Sequence, residues 1–307
     1  MGAETRSSSR PEAWVVAAWA LVAAEFAIAI YLGMKRPGAG PVLVYMWAPP
    51  LLAGLALLLG AAGAVWSYLH RPFGTSQRLI AFCMLGFVTA SASYPLPFPS
   101  YREGRPTAVA MRLPFRGEWT VAWDGLDEDI NYVQRTRPDR RFGFTFVLAR
   151  DGATRSNAAD ARTAFAFDAE VLAPCDATVA RVTGDLPDAG LAARDDVGNH
   201  VVLEIAPGEF AFLCNLKQGS VTVHPGERVA AGQVLARVGW SAFSPLMSEP
   251  HLALYVQDTP DLHAGQSIPL YFHDYFIGAQ HVERGAPRGA GFFTGRAPQG
   301  ERVHAEP

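Results

Sequence analysis

Ser248-Glu249-Pro250-His251-Leu252-Ala253-Leu254-Tyr255-Val256 is the stretch on which the fold and the chemistry of this chain turn. From Leu252 onward the run is short, apolar and without helical spacing, which reads as a strand. Alternate side chains of a strand share a face. His251 and Ala253 therefore point to one side of a sheet, which receives one imidazole followed by a bare methyl group.

The sequence around this strand has the same texture. From Leu113 onward short runs rich in Val, Phe, Thr and Leu are punctuated by Gly, Asp and Pro. Strands are expected at 120–123, 143–148, 170–172, 177–182, 200–205, 210–213, 228–229, 234–238 and 252–256. No long amphipathic helical pattern interrupts them, so the fold class is all-β, an antiparallel sheet sandwich or open barrel. Residues 96–112, beginning in the proline-rich Tyr94-Pro95-Leu96-Pro97-Phe98-Pro99, read as a linker. Residues 284–307, rich in Gly, Pro and Arg, read as a disordered tail.

The N-terminal third is of another kind. Hydrophobic residues make up 50% of the chain but are concentrated in three apolar runs, 13–34, 42–69 and 79–94. A bilayer core takes about 20 apolar residues as helix, so residues 1–95 are expected to form an α-helical membrane anchor of about three spans. Arg6, Arg10, Arg71 and Arg78 favour a cytoplasmic N-terminus, and Lys35 and Arg36 weaken that bias without reversing it. The expectation is a multi-pass protein of a bacterial-type inner membrane with the domain at 113–283 outside the cytoplasm. Glu25, alone within the first run, is expected to serve helix packing. Pro49-Pro50 is expected to kink or break the second.

A net charge of −3 and the lack of a basic patch with interleaved aromatics give no case for nucleic acid. Three cysteines, Cys83, Cys175 and Cys214, are too few for a disulfide framework. Cys175 and Cys214 could pair in an oxidising compartment or stay as buried thiols.

Several segments occur in the order used by the lysostaphin/LytM-type zinc endopeptidases. Leu113-Pro114-Phe115-Arg116-Gly117-Glu118-Trp119 resembles the opening segment of a membrane-linked branch. Val171-Leu172-Ala173-Pro174-Cys175-Asp176-Ala177-Thr178-Val179 is similar to the family's Ala-Pro hairpin, and Gly198-Asn199-His200-Val201-Val202-Leu203 to its Gly-Asn strand. Leu213-Cys214-Asn215-Leu216 falls where Tyr-Ala-His-Leu is usual. Val223 to Gly239 carries the paired-glycine repeat, and Glu249-Pro250-His251-Leu252 opens the last motif. The resemblance spans residues 113–275.

The resemblance implies a zinc held by a His and an Asp four residues apart, together with the second His of a His-x-His, and two further catalytic histidines. Carried over by position, the first pair falls on Arg141 and Thr145 and the third ligand on Ala253. One catalytic histidine falls on Asn215, and only His251 remains. A guanidinium offers no lone pair, and a threonine hydroxyl is a poor zinc ligand beside His, Cys or carboxylate. No metal site and no intact catalytic set are therefore expected. The former groove would be lined by Arg141, Thr145, Asn215, His251 and Ala253. Arg141 reads either as part of an exposed basic turn, Arg137-Pro138-Asp139-Arg140-Arg141, or as a fixed charge in the zinc's position against a carboxylate such as Glu249 or a bound anionic group.

The function implied is a non-catalytic domain that binds cell-wall peptide or regulates a wall hydrolase. One alternative is an active zinc endopeptidase with substitute ligands, His200 or His224 joining His251. Another is a hybrid-barrel adaptor of a membrane export complex, since 223–239 also resembles biotinyl/lipoyl-type hairpins. Lys217, the lysine of this region, lies outside such a turn. His200, His224, His263, His273 and His281 show no metal spacing and read as surface or turn histidines.

Overall fold

The computed structural model describes residues 13–70, 86, 97–123, 125–127, 130–131, 134–157, 160–244, 247, 249–291 and 298–306. They belong to two compact units, residues 1–99 and 100–307.

The first unit holds helices α1 (Ala13–Gly33) and α2 (Ala39–His70). Between them Lys35 and Gly38 adopt left-handed backbone, φ 47° and 87°, which turns the chain back on itself. Small residues let the helices approach: Ala18 and Ala56 are buried in the contact, flanked by Leu21, Val22 and Leu59. Trp19, Phe26, Ile30, Leu51 and Leu58 face outward. The windows Val16–Gly33 and Ala39–Gly63 are long and apolar enough to cross a membrane. Length and composition suit these helices to a membrane anchor, and α1 equally to a signal sequence. Two such helices stand where three spans are expected; the third run, 79–94, lies outside the described residues apart from Gly86. Helix α2 continues through Pro49 and Pro50, so the expected break does not occur.

The second unit is mostly antiparallel sheet. Its strands are β1 (Trp119–Trp123), β2 (Phe144–Val147), β3 (Glu170–Leu172), β4 (Ala177–Thr183), β5 (Asn199–Ala206), β6 (Glu209–Leu216), β7 (Arg228–Val229), β8 (Val234–Arg237), β9 (Leu252–Gln257), β10 (Ser267–Ile268), β11 (Phe272–Ile277), β12 (Gln280–Gly285) and β13 (Arg302–His304). The large sheet runs β12-β11-β13-β1-β2-β9-β6-β5-β4-β7, with β10 on β9, and β3 pairs with β8 separately. The path is open, with β12 at one end and β7 at the other, so no closed barrel forms.

Period-two alternation sorts the central strands into two faces. Phe144 and Phe146 of β2, Leu213 of β6, and Leu252, Leu254 and Val256 of β9 face the main core. There Phe115 stacks on Trp119 at 4.8 Å and meets Phe146 edge-on at 5.0 Å. The intervening residues, among them Thr145, Cys214, Ala253 and Tyr255, face the other way and build the floor of a groove.

Two expectations about the domain's ends do not hold. Residues 100–112 are not a free linker: Ser100, Thr107 and Met111 are buried, and the Thr107 N–H donates to Pro269 O at 2.9 Å. Nor are the described residues after 284 a disordered tail. β13 inserts between β11 and β1 with Val303 fully buried. Composition marked this segment as polar; one well-placed valine and backbone pairing with β1 outweigh that bias.

Candidate functional site

The groove floor belongs to a row of directly opposed residues that runs on past it to His200. Thr145 of β2 pairs with Ala253 of β9, Ala253 with Cys214 of β6, and Cys214 with His200 of β5. Direct partners in an antiparallel sheet present their side chains to the same face. A cavity of about 330 Å3 opens over this floor, with Trp123, Gln134, Thr145, Asn215, Phe243 and His251 among its walls. Arg137, Arg140, Asp196 and Tyr255 also line it. A larger cleft of about 660 Å3 lies elsewhere, at the β4–β7 edge, and its lining holds no imidazole or thiol.

Asn215, next to last in β6, adopts left-handed backbone, φ 64°, a conformation asparagine accepts more readily than most residues. From there its amide ties neighbouring segments together. Nδ2 donates to His251 O at 2.9 Å, and Oδ1 accepts from the Ala242 N–H at 3.0 Å. Its backbone N–H donates to Val197 O, and its carbonyl accepts from Gly239. At this position the chain carries a structural clamp.

His251 is buried beside it. Its Nδ1 lies 2.8 Å from Glu249 O, which assigns the proton to Nδ1 and leaves the Nε2 lone pair. Burial pushes the imidazole down to about 4, against the opposing pull of the Glu249 carbonyl. The side chain is therefore neutral at pH 7. Glu249 is itself fully buried, accepting from Thr154 Oγ1 at 2.7 Å and paired with Arg155 at 3.5 Å.

Arg141 is not where the sequence places it. Its guanidinium reaches Glu103 at 3.3 Å and lies over the Phe142 ring, and it does not line the groove. The turn before β2 sends successive side chains to opposite sides, and Arg140 is the one that enters. Arg140 Nη2 sits 3.2 Å from Asp139 and 3.5 Å from Asp196, and its guanidinium carbon is 5.4 Å from the Tyr255 ring centre. Arg137 pairs with Asp196 as well. His263 bridges both carboxylates, Nδ1 to Asp139 at 3.2 Å and Nε2 to Asp196 at 3.4 Å. Burial alone would raise the Asp139 carboxyl; Arg140, with His263 and Arg137, overrides it and holds the group well below the usual carboxylate range. Asp196 is lowered by the same two arginines against its own burial. The wall of the groove thus carries a charge-balanced network that the sequence did not reveal. Its members come from 137–140, 196 and 263, and no local spacing links them.

The residues do not fit a zinc ion. On the groove floor Thr145 offers a hydroxyl and Ala253 a methyl group, and Arg141 is turned away. His251 supplies one nitrogen where a catalytic site needs three protein ligands. Among the described residues no three His, Cys, Asp or Glu side chains converge as a metal set. The substitute ligands are not brought in either. His200 is buried with Nδ1 on Gly198 O at 2.7 Å, and neither it nor the well-exposed His224 lines the groove. Lys217 is occupied by Asp168 at 2.7 Å and lies over Phe167, not at a free hairpin tip. Cys175 and Cys214 are free, buried thiols, both raised by that burial, Cys214 to about 12.

No protein-family model and no curated protein matches the chain. Among solved structures it is similar to the catalytic domain of the antimicrobial peptidase lysostaphin from Staphylococcus simulans. That match has 16% identity over 41% of this chain and 73% of that one, with a TM-score of 0.27. The prophage-encoded M23 protein EnpA from Enterococcus faecalis, a mutant catalytic domain, matches at 18% identity over 41% and 73%, TM-score 0.27. The deep-sea M23 metalloprotease pseudoalterin matches at 12% identity over 55% and 83%, TM-score 0.33.

Proposed function

We propose that the chain is a membrane-anchored, lysostaphin/LytM-type peptidase-like protein whose groove binds cell-wall peptide or a wall-hydrolase partner without cleaving it. The observation that carries this reading is the opposed pair Thr145 and Ala253. The family resemblance places two zinc ligands at these positions, and here they stand side by side on the groove floor without a metal-binding atom of useful strength. Beside them, Asn215 serves as a backbone clamp and His251 is held neutral. The groove combines apolar residues such as Trp123, Phe243 and Ala253 with a hydrogen-bonding wall, the usual make-up of a ligand site. Peptidoglycan as the ligand comes from the resemblance alone.

The test uses the full-length protein purified in detergent. Zinc content is measured by elemental analysis after equilibration with the metal, alongside cleavage of wall peptides and co-sedimentation with peptidoglycan. The expected result is substoichiometric zinc, no cleavage, and retention that weakens when Thr145 is replaced by Tyr to fill the groove. Stoichiometric zinc together with cleavage abolished by His251→Ala would sink the proposal.

A further inference from the structure

The large sheet ends at β12, and among the described residues no strand pairs with its outer edge. Gln280, His281, Glu283 and Arg284 are exposed there. The β11–β12 hairpin turns through Gly278-Ala279, with Ile277 opposite Gln280. In a two-residue hairpin the flanking pair is hydrogen-bonded, and bonded pairs then alternate with non-bonded ones. Tyr275–Val282 is therefore a bonded pair, and by alternation along β12 the backbone N–H and C=O of His281, Glu283 and Gly285 turn outward.

We propose that this edge docks a second copy of the chain, β12 pairing antiparallel with the partner's β12 about a two-fold axis. Backbone parity and charge select the register. Bonded pairs can join only positions 281, 283 and 285, because these turn their backbone groups outward. A register joining Gly285 to the partner's Glu283 opposes Arg284 to the partner's Arg284, and one joining Gly285 to the partner's Gly285 overlaps at the strand end alone. Setting His281 against the partner's His281 overlaps the strands over residues 280–282 alone. Setting Glu283 against the partner's Glu283 opposes like charges, which is destabilising. The remaining register sets His281 against the partner's Glu283 twice by symmetry, an imidazole N–H facing a carboxylate. It also sets Val282 against the partner's Val282 and Gln280 against the partner's Arg284.

Charges on an edge strand usually ward off pairing. Here a donor and an acceptor two residues apart on one face become self-complementary under a two-fold axis, the requirement for an isologous contact. The face has a further need for a donor. Glu283 lies at the step between the Tyr275–Val282 and His273–Arg284 partners, opposite Asp274, and Asp274 of β11 already engages His281 of β12 within the same chain at 3.7 Å. The partner's His281 would arrive beside this pair of carboxylates. Six residues of edge are a small interface, and confinement in a membrane plane raises the effective concentration of the two copies. That last point rests on the membrane-anchor reading; the register does not.

The experiment uses the full-length chain in lipid vesicles, with Val282→Cys under mild oxidation. Wild type, which keeps Cys83, Cys175 and Cys214, gives the background. Facing residues of a non-bonded antiparallel pair have Cα atoms about 4.5 Å apart, within disulfide reach of roughly 4.4–6.8 Å. Val282→Cys is expected to yield a covalent dimer, and Arg228→Cys on β7, at the far end of the sheet, to stay at background. In the Val282→Cys protein, His281→Glu alone or Glu283→His alone should lower the dimer yield about tenfold, two pairs being lost at once. The combined swap of His281→Glu with Glu283→His recreates both pairs and should restore it. Cross-linking at Val282→Cys no faster than at Arg228→Cys, or a combined swap as poor as the single changes, overturns the proposal. Neither outcome bears on zinc or peptide binding, so failure here is distinct from failure of the function proposed above.

Discussion

Replacing Arg140 by Met tests whether the groove wall is held by its ion network. The guanidinium is 12% exposed and Asp139 only 4%, so the change leaves a nearly buried carboxylate short of its main partner. Breaking a buried pair from one side costs about 3–5 kcal/mol. His263 at 3.2 Å and Arg137 at 3.9 Å remain beside Asp139, which favours the lower end, about 3 kcal/mol. For a unit of this size that corresponds to a drop in Tm of about 6–12 °C. The pH dependence carries the sign. Asp139 is held below its ordinary range in the folded protein, so its contribution is present above pH ~4 and is lost as the pH falls through the lower folded value. Without Arg140 less of that contribution exists to lose. The difference between wild type and variant should be largest at pH 7 and should begin to narrow below pH ~4, where the unfolded chain takes up a proton that Asp139 in the folded wild type still excludes. Thermal unfolding of the detergent-solubilised protein, followed by circular dichroism from pH 7 to pH 3, measures both. An unchanged Tm at pH 7, or a gap that stays constant into acid, would refute the reasoning.

Removal of residues 300–307 deletes β13 and the buried Val303; burial of that side chain alone is worth about 1.5–3 kcal/mol, and a lowered Tm with unchanged helix signal is expected. Gly300→Ala should act similarly, because a Cβ there would sit 1.9 Å from Val121 O; a tail without structure would tolerate both changes. His251 has its folded value lowered to about 4, so its burial favours folding fully above the ordinary histidine value and less as the pH falls from 6.5 toward 4. His251→Gln should flatten the stability profile in that window by about 3 kcal/mol; denaturant titrations at several pH values follow it, and an unaltered slope counts against a neutral buried imidazole. Asn215→Ala removes both amide bonds to Ala242 and His251 and should destabilise by about 2–3 kcal/mol, read as a shift in the urea midpoint.

Much of the sheet was legible in the chain. Strands β1 to β9 stand where runs of Val, Phe, Thr and Leu between Gly, Asp and Pro place them. The alternation that sends Leu252 and Leu254 inward also sends Ala253 to the groove, as the strand period requires. β10 to β13 were not read. Ser267–Ile268 and Arg302–His304 are too short to carry a period, and β12 is a polar edge with one half-buried valine. Arg140 and Arg141 are chemically equal neighbours, and nothing local says which enters the groove.

By itself the sequence determined which side-chain atoms are on offer. No fold can draw a metal-binding side chain from Ala253, and Thr145 and Asn215 bring a hydroxyl and an amide, weak ligands beside imidazole or carboxylate. It also determined the apolar length of the N-terminal helices, because composition needs no partner to be read. Only the tertiary structure decided what fills the space. It aimed Arg140 between Asp139 and Asp196, brought His263 to both, turned Arg141 to Glu103, and seated the C-terminal Val303 between β1 and β11. Each of these joins residues tens to well over a hundred positions apart or depends on the turn of one peptide. Such contacts are set by strand pairing and burial across the whole domain, which short-range periodicity does not encode.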